Sequence, residues 1–166
     1  CRGVVVQHSG LIYLAGGTES TQFPAVGTAD PLLRREKNGG RDAFVLRLKN
    51  QGSQIDYSGF IGGAEDDQAN SLAVDGLGRA YVTGFSSCTG GGNCSFPTVV
   101  GPNLTRAASA DASRPSMDGF IARVKADGSS LDYAGFIGGD GYFDVGHAIA
   151  VDASGSAYVA GATDSV

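Results

Sequence analysis

Two acidic, glycine-rich segments are the first candidates for chemistry in this chain. One carries Glu65, Asp66 and Asp67, and the other carries Asp140 and Asp144. Carboxylate oxygens on a flexible loop suit Ca²⁺, so these residues form a candidate calcium site, although neither segment has the spacing of an EF-hand loop. The alternative is a solvated turn whose Asp side chains accept hydrogen bonds from backbone N–H groups. We favour the turn, and we expect no cofactor.

The three cysteines bear on redox chemistry. Cys88 and Cys94 are separated by the sequence TGGGN, a flexible loop that easily brings two sulfur atoms together. We therefore expect a disulfide, formed in an oxidising compartment. The alternatives are two free thiols or a metal site, although no nearby His or further Cys completes a set of four ligands. The remaining Cys1 indicates a fragment boundary, an intermolecular disulfide or a lipid-bearing first residue.

The sequence carries no catalytic motif. It has no Gly-x-Ser-x-Gly, no His-Glu-x-x-His, no phosphate-binding loop and no Rossmann fingerprint. The two histidines, His8 and His147, have no nucleophile at a motif spacing. We therefore predict that the chain is not an enzyme. Asn103 and Asn93 fit the Asn-x-Ser/Thr pattern and are candidate glycosylation sites.

Composition and charge exclude several classes of partner. The formal net charge of −5 argues against nucleic acid and anionic membrane surfaces, which both attract clusters of Lys and Arg. No apolar run is long enough to span a membrane. Glycine contributes 27 of 166 residues without a Gly-X-Y period, which indicates tight turns between short strands.

The chain repeats itself. Residues 42–49 (DAFVLRLK) return at 118–125 (DGFIARVK), and residues 55–63 (IDYSGFIGG) return at 131–139 (LDYAGFIGG). A second pattern, LAVD followed by AYVTG, occurs at residues 72–84 and returns at 149–161, and an earlier copy opens the chain. Each unit of such an array must bury its apolar face against a neighbour.

Each repeat contains the elements of a four-stranded sheet. Apolar residues alternate as in half-buried strands, and a glycine lies in each turn where a positive φ is needed. These turn glycines are Gly10, Gly52, Gly78, Gly128 and Gly155. Four antiparallel strands per repeat are typical of a β-propeller blade. A β-solenoid would have shorter coils and parallel strands, and a β-sandwich has no reason to repeat its sequence.

We therefore predict an all-β fold of about two and a half propeller-type blades, fewer than the roughly four to eight of a closed ring. The first repeat unit covers residues 1–63, the second covers 64–139, and 140–166 form the first half of a third. The sheet is expected to be open and unable to close alone.

The repeated segments also resemble a known family, the SBBP-type bacterial β-propeller repeat. The similar residues are 42–45 (DAFV), 57–63 (YSGFIGG), 72–75 (LAVD), 78–84 (GRAYVTG) and 96–98 (FPT). The resemblance implies a propeller fold in a large secreted or cell-surface protein, and it supplies no catalytic residues. The long connections at 24–42 and 97–118 and the cysteine loop depart from the repeat.

From these observations we expect a non-enzymatic structural or adhesive module, extracellular or on the cell surface. It would assemble through open blade edges into a scaffold or filament, with copies of itself or further blades as partners. The first alternative is a glycan- or protein-binding propeller segment of a larger secreted protein. The second is a fragment of a propeller glycosidase or lyase, which would need two carboxylates converging in a cleft.

Overall fold

Three antiparallel sheets follow one another along the chain. The computed structural model describes residues 1–26, 33, 36–89, 94–106 and 115–165, and these contain ten strands and one short 3₁₀ turn. The first sheet consists of neighbouring strands β1 (Gly3–Val6), β2 (Ile12–Thr18), β3 (Asp42–Lys49) and β4 (Gln54–Ile61). We call this sheet blade 1.

The same arrangement returns in the second sheet and begins again in the third. Blade 2 consists of β5 (Asp67–Val74), β6 (Ala80–Cys88), β7 (Ser116–Val124) and β8 (Leu131–Ile137). Blade 3 consists of β9 (Asp144–Val151) and β10 (Ala157–Thr163). The predicted all-β fold of open, propeller-type blades is therefore confirmed.

The hairpin turns use glycine as expected. Gly10, Gly78 and Gly155 connect the first two strands of each blade with φ between +81° and +85°, which an L side chain adopts only with strain. The second hairpins differ between repeats. In blade 2 Gly128 alone has a positive φ, whereas in blade 1 the 3₁₀ turn Asn50–Gly52 has three residues with positive φ.

Two strands begin earlier than their apolar pattern indicates. The sequence predicts strand starts near Ser71 and His147, whereas β5 begins at Asp67 and β9 at Asp144. The additional residues lie beyond an irregularity in each hairpin, where the pairing register shifts. A bulge breaks the alternation of apolar residues, so the alternation marks only part of the strand.

The blades stack face to face, with the largest buried cluster between blades 1 and 2. Blade 1 packs against β5, and blade 2 packs against β9. The face of blade 1 directed towards blade 2 carries Tyr13, Val45 and Tyr57, which join Val82 and Phe120 of blade 2 in one buried cluster. We call the face directed towards the next blade the leading face and the opposite one the trailing face.

A phenylalanine outside the strands extends each trailing face. Phe96 packs on Phe120 and Phe136 with ring centroids 5.0 and 5.2 Å apart. The equivalent Phe23 in blade 1 packs on two rings of its own sheet at 4.7 and 5.3 Å. The Phe-Pro pair that ends each repeated motif therefore contributes to core packing.

Candidate functional site

The leading face of blade 1 carries a row of three side chains, one from each of β2, β3 and β4. Strand register places Tyr13 opposite Arg47 and Arg47 opposite Tyr57. The guanidinium carbon lies 5.7 Å from the centroid of the Tyr13 ring and 4.6 Å from that of Tyr57. Arg47 Nε also donates to Asp56 Oδ2 at 2.7 Å. Burial raises the pKa of Tyr57, so its phenol is neutral at physiological pH.

The same row holds the turns of the next blade. The Tyr13 hydroxyl donates to the carbonyl oxygen of Gly78 at 3.2 Å, and Arg47 Nη1 donates to the carbonyl oxygen of Ala126. Tyr57 lies so close to Gly128 that a Cβ atom there would overlap its ring. Blade 1 therefore contacts both hairpin turns of blade 2, and we call this set of contacts the interblade latch.

Blade 2 repeats the row. Arg123 lies 5.8 Å from the ring centroid of Tyr81 and 4.8 Å from that of Tyr133, and its Nε donates to Asp132 at 3.0 Å. The Tyr81 hydroxyl donates to Asp75 Oδ2 of its own hairpin at 2.9 Å and lies 3.2 Å from the carbonyl oxygen of Gly155 in the first turn of blade 3. The half of the latch that involves a first hairpin is therefore made twice in the chain.

The two partners in this contact are a tyrosine and a turn glycine, and among the described residues each also occurs once without the other. Tyr158, the equivalent of Tyr13 and Tyr81, is 61% exposed, whereas those two tyrosines are fully buried. Its hydroxyl donates to Asp152 of its own hairpin at 3.0 Å. At the other side of the array, no described atom apart from those of Gly10 and its two chain neighbours lies within 4 Å of a Cβ position on Gly10. Blade 3 thus exposes the tyrosine of this contact, and blade 1 exposes the matching turn.

The exposed tyrosine and the exposed turn each lie beside apolar residues. Val4 and Val6 of β1 are 62% and 65% exposed, whereas Leu72, the equivalent of Val4 in blade 2, is 7% exposed. We define the first outer surface as the two rows of β1 and β2 on the trailing face of blade 1, which contain Val4, Val6, Ile12 and Leu14. The last outer surface is the corresponding pair of rows on the leading face of blade 3, which contain Ala148, Ala150, Tyr158 and Ala160.

The acidic segments contribute to loop closure. Asp67 and Asp144 are each 1% exposed and begin strands rather than lying in loops. Asp67 Oδ2 accepts from the backbone N–H of Gly63 at 2.6 Å, and Asp144 Oδ2 accepts from that of Gly139 at 3.0 Å. The Ser165 hydroxyl donates to the same Asp144 oxygen at 2.8 Å.

The other candidate calcium ligands are exposed. They are Glu65, Asp66 and Asp140, and Asp66 Oδ1 accepts from the backbone N–H of Arg41 at 2.7 Å. Within the described part of the chain, no three His, Cys, Asp or Glu side chains are grouped so as to hold a metal ion. Calcium binding stays a prediction.

Asp75 and Asp152 each come directly after a strand and before a turn, and their carboxylates bond the backbone of that turn. Asp75 Oδ1 accepts from two backbone N–H groups of its own turn at 2.9 and 3.0 Å. Burial disfavours ionisation of Asp75, but these bonds and those from the Arg79 and Tyr81 side chains outweigh it and lower its pKa. Hydrogen bonds from Ser154 and Ser156 lower the pKa of Asp152 to about 2.

Cys88 and Cys94 form the expected disulfide, with their Cα atoms 5.7 Å apart. The bridge joins the end of β6 to the segment that leads into Phe96, and Cys94 O accepts from the backbone N–H of Ala64 at 2.7 Å. The presence of a disulfide weakly indicates an oxidising environment. Cys1 is exposed and outside any disulfide. None of the described residues belongs to a helix with the length and apolar character needed to cross a membrane.

Of the two candidate glycosylation sites, only Asn103 lies among the described residues. Asn103 is half-buried, and its Oδ1 accepts from the backbone N–H of Thr105 at 3.1 Å. Asn93 lies outside the described residues, as do large parts of both long connections. His8 and His147 are exposed. Glycosylation stays a prediction.

Sequence reasoning missed the tyrosine–arginine rows. Arg47 and Arg123 were visible only as polar residues between apolar ones, although Tyr, Arg and the Asp-Tyr pair all recur in the repeats. That recurrence was the available signal. It did not indicate that the side chains meet, because their strands are separated by connections of variable length.

Stacked four-stranded blades held by a recurring contact define a repeat protein of the β-propeller type. Residues 55–87 match the family model of the SBBP β-propeller repeat. The matched segment runs from β4 of blade 1 to β6 of blade 2, so this SBBP repeat bridges two blades. The resemblance noted in the sequence is thereby confirmed. A comparison with curated proteins found no match for the chain.

Proposed function

We propose that this chain is a non-enzymatic structural module of an extracellular assembly, and that it associates with copies of itself through its two outer surfaces. The observation that carries this proposal is the recurring hydroxyl–turn contact. Tyr13 meets Gly78 and Tyr81 meets Gly155, while Tyr158 and Gly10 are the exposed halves of the same pair.

A second contact between the first hairpins repeats in the same way. Gly3 of β1 lies against Leu72 in the next blade, and Ser71, its equivalent in β5, accepts a hydrogen bond from the backbone N–H of Ile149 at 3.3 Å. The next member of this series is Ala148, which is exposed, and its expected contact is Val4 of another copy. The two outer surfaces therefore carry the partners of two interblade contacts that recur within the chain.

Burial of these surfaces supplies a driving force. Val4, Val6 and Tyr158 are each more than 60% exposed, and removing such side chains from water favours association. Because the two surfaces differ, the contact is head-to-tail and generates a ring or a filament according to its rotation. An assembly role needs no catalytic group, which agrees with the use of Asp67 and Asp144 in closing loops.

The extracellular location is supported by the disulfide between Cys88 and Cys94, because such bonds persist mainly in oxidising compartments. The net charge of −5 also disfavours binding to nucleic acid and to anionic membranes.

Sedimentation velocity across a concentration series tests the proposal. The unaltered chain should form oligomers whose population rises with concentration, and Val4→Asp or Tyr158→Ala should shift it to the monomer. Leu77→Asp is the matched control, because Leu77 is an apolar residue, 71% exposed, that belongs to neither outer surface. A monomer at every concentration, or equal behaviour of all three variants, contradicts the proposal.

A further inference from the structure

A glycine of β9 lies directly against a buried threonine of blade 2. Thr83 is fully buried on the leading face of that blade, on the same side of β6 as Tyr81. A Cβ atom on Gly146 would overlap Thr83 Oγ1. Position 146 therefore has no room for a side chain while the threonine keeps this conformation.

Two restraints hold Thr83 in that conformation. Its hydroxyl donates to the carbonyl oxygen of Phe120 on the same blade at 2.7 Å. A threonine is also stiff about its first side-chain bond, because the side chain branches at Cβ. Rotation of the side chain away from Gly146 would leave the buried hydroxyl without this bond, which is costly. The threonine therefore resists a larger residue at position 146.

The backbone of β9 does not itself require a glycine here. The φ of Gly146 lies outside the left-handed region, whereas the turn glycine of the same hairpin, Gly155, lies inside it. An alanine adopts an ordinary strand conformation without strain, and it is more favourable than glycine within a strand. The packing of Thr83 is therefore what excludes a side chain at position 146.

The junction between blades 1 and 2 has a different pair at the same place. Ala15 is the equivalent of Thr83, and Ala69 is the equivalent of Gly146, because each of the last two pairs with the glycine that ends its AYVxG motif. Both alanines are fully buried in the cluster between blades 1 and 2. This junction thus accepts an alanine where the next one accepts a glycine.

Blade 2 also binds the backbone of the glycine. Asn70 Nδ2 donates across the junction to the carbonyl oxygen of Gly146 at 3.0 Å. The equivalent Arg2 on blade 1 is exposed, and the carbonyl oxygen of Ala69 accepts from Gln68 Nε2 at 2.6 Å. Asn70 therefore holds residue 146 close to the threonine that excludes a side chain there.

The other contacts between blades do not distinguish the two junctions. Tyr13 and Tyr81 each contact the turn glycine of the following first hairpin, so this contact would form with either hairpin. A chain that contains near-identical hairpins therefore needs an element that disfavours the wrong pairing as well as contacts that favour the right one. Thr83 has the position and the shape for such an element.

We propose that Thr83 is a specificity-determining residue of the leading face of blade 2. It admits the hairpin β9–β10, which presents Gly146, and rejects the hairpin β5–β6 of a second copy of the chain, which presents Ala69. The leading face of blade 1, with Ala15, lacks this restriction. The inference goes beyond the proposed function, because it concerns a junction inside the chain rather than the outer surfaces.

Gly146→Ala tests the rejection, because it gives β9 the residue that β5 has at this place. Amide hydrogen exchange of β9, corrected for intrinsic rates, measures how often blade 3 leaves blade 2. The substitution should accelerate this exchange by about tenfold or more. In a Thr83→Ala background the same substitution should leave exchange unchanged or slow it, because the overlap is gone and alanine suits the strand better than glycine.

The reciprocal exchange of residues tests the same rule at the first junction. Ala15→Thr should accelerate amide exchange of β5, because the new hydroxyl meets the methyl group of Ala69. Adding Ala69→Gly should slow that exchange again. In the unaltered chain Ala69→Gly alone should have the opposite effect, since it removes a buried methyl group.

The sign of each paired effect decides the outcome. Equal acceleration by Gly146→Ala with and without Thr83→Ala overturns the inference, and so does a lack of acceleration in the unaltered chain. Acceleration by Ala69→Gly in the Ala15→Thr background also overturns it. Failure of the proposed function is distinguishable, because it would show in sedimentation and would leave these exchange rates unaltered.

Discussion

Replacing the arginine of each tyrosine–arginine row by alanine measures the strength of the interblade latch. Arg47 and Arg123 have the same kind of neighbours on their own blades, namely two tyrosine rings and one aspartate. Arg47 in addition donates to the carbonyl oxygen of Ala126 on the following blade. The difference between Arg47→Ala and Arg123→Ala therefore reports mainly this one bond.

The expected magnitudes follow from these contacts. Each partly exposed guanidinium–ring contact contributes about 0.5 kcal/mol or more. The ion pairs of Arg47 with Asp56 and of Arg123 with Asp132 are partly exposed, so each adds about 0.5–1 kcal/mol. The shared loss of stability is thus about 2 kcal/mol. A hydrogen bond from a charged donor contributes about 1.5–3 kcal/mol more, so Arg47→Ala should cost about 4 kcal/mol.

Urea unfolding provides the assay. The chain has six tyrosines and no tryptophan, so tyrosine fluorescence and far-UV circular dichroism are the signals. The comparison is valid where the dependence of the unfolding free energy on urea is the same for both variants. Equal losses, or a larger loss for Arg123→Ala than for Arg47→Ala, would refute the assignment of the latch.

Four further outcomes are expected. Gly128→Ala should lower the free energy of unfolding in urea more than Gly52→Ala does. Both glycines have a positive φ, which an alanine adopts at a cost of about 1 kcal/mol or more, but only Gly128 has the Tyr57 ring at its Cβ position. Equal effects of the two substitutions contradict this prediction. Hydrogen bonds lower the pKa of Asp75, so the ionised carboxylate stabilises the fold above the usual pKa of an aspartate, and this stabilisation is lost as the pH falls below about 4. Asp75→Asn should therefore reduce the dependence of the melting temperature on pH in that range. Reduction of the disulfide should lower the free energy of unfolding in urea by about 2 kcal/mol, and the reductant should not change the stability of a variant with both Cys88→Ser and Cys94→Ser. Enzymatic deglycosylation should lower the intact mass of the chain, and Asn103→Gln should remove that change; an unchanged mass contradicts glycosylation at Asn103.

The fold was predictable because the same pattern of strands and turns occurs more than once in the sequence. Alternation in the segments that became β3 and β7, together with turn glycines such as Gly78 and Gly155, specified antiparallel hairpins. The strand starts at Asp67 and Asp144 were not predictable, because the bulges that follow them interrupt the alternation.

The site was less predictable than the fold. The bond between Arg47 and Ala126 joins residues 79 positions apart, and it depends on how two blades stack. Tyr81 and Tyr158 lie in almost the same sequence, AYVTG and AYVAG, yet one is buried and the other is 61% exposed. That difference comes from what lies beyond each blade, so no local pattern encodes it.

The recurring contact between a tyrosine and a turn glycine has a genetic consequence. Each repeat contains both the tyrosine that contacts its successor and the turn glycine that contacts its predecessor, as Tyr81 and Gly78 show. Unequal recombination that deletes or duplicates one whole repeat leaves every remaining junction with its two partners. We therefore expect a change in the number of repeats to be tolerated, whereas substitution of the tyrosine or the glycine should weaken a junction in an array of any length.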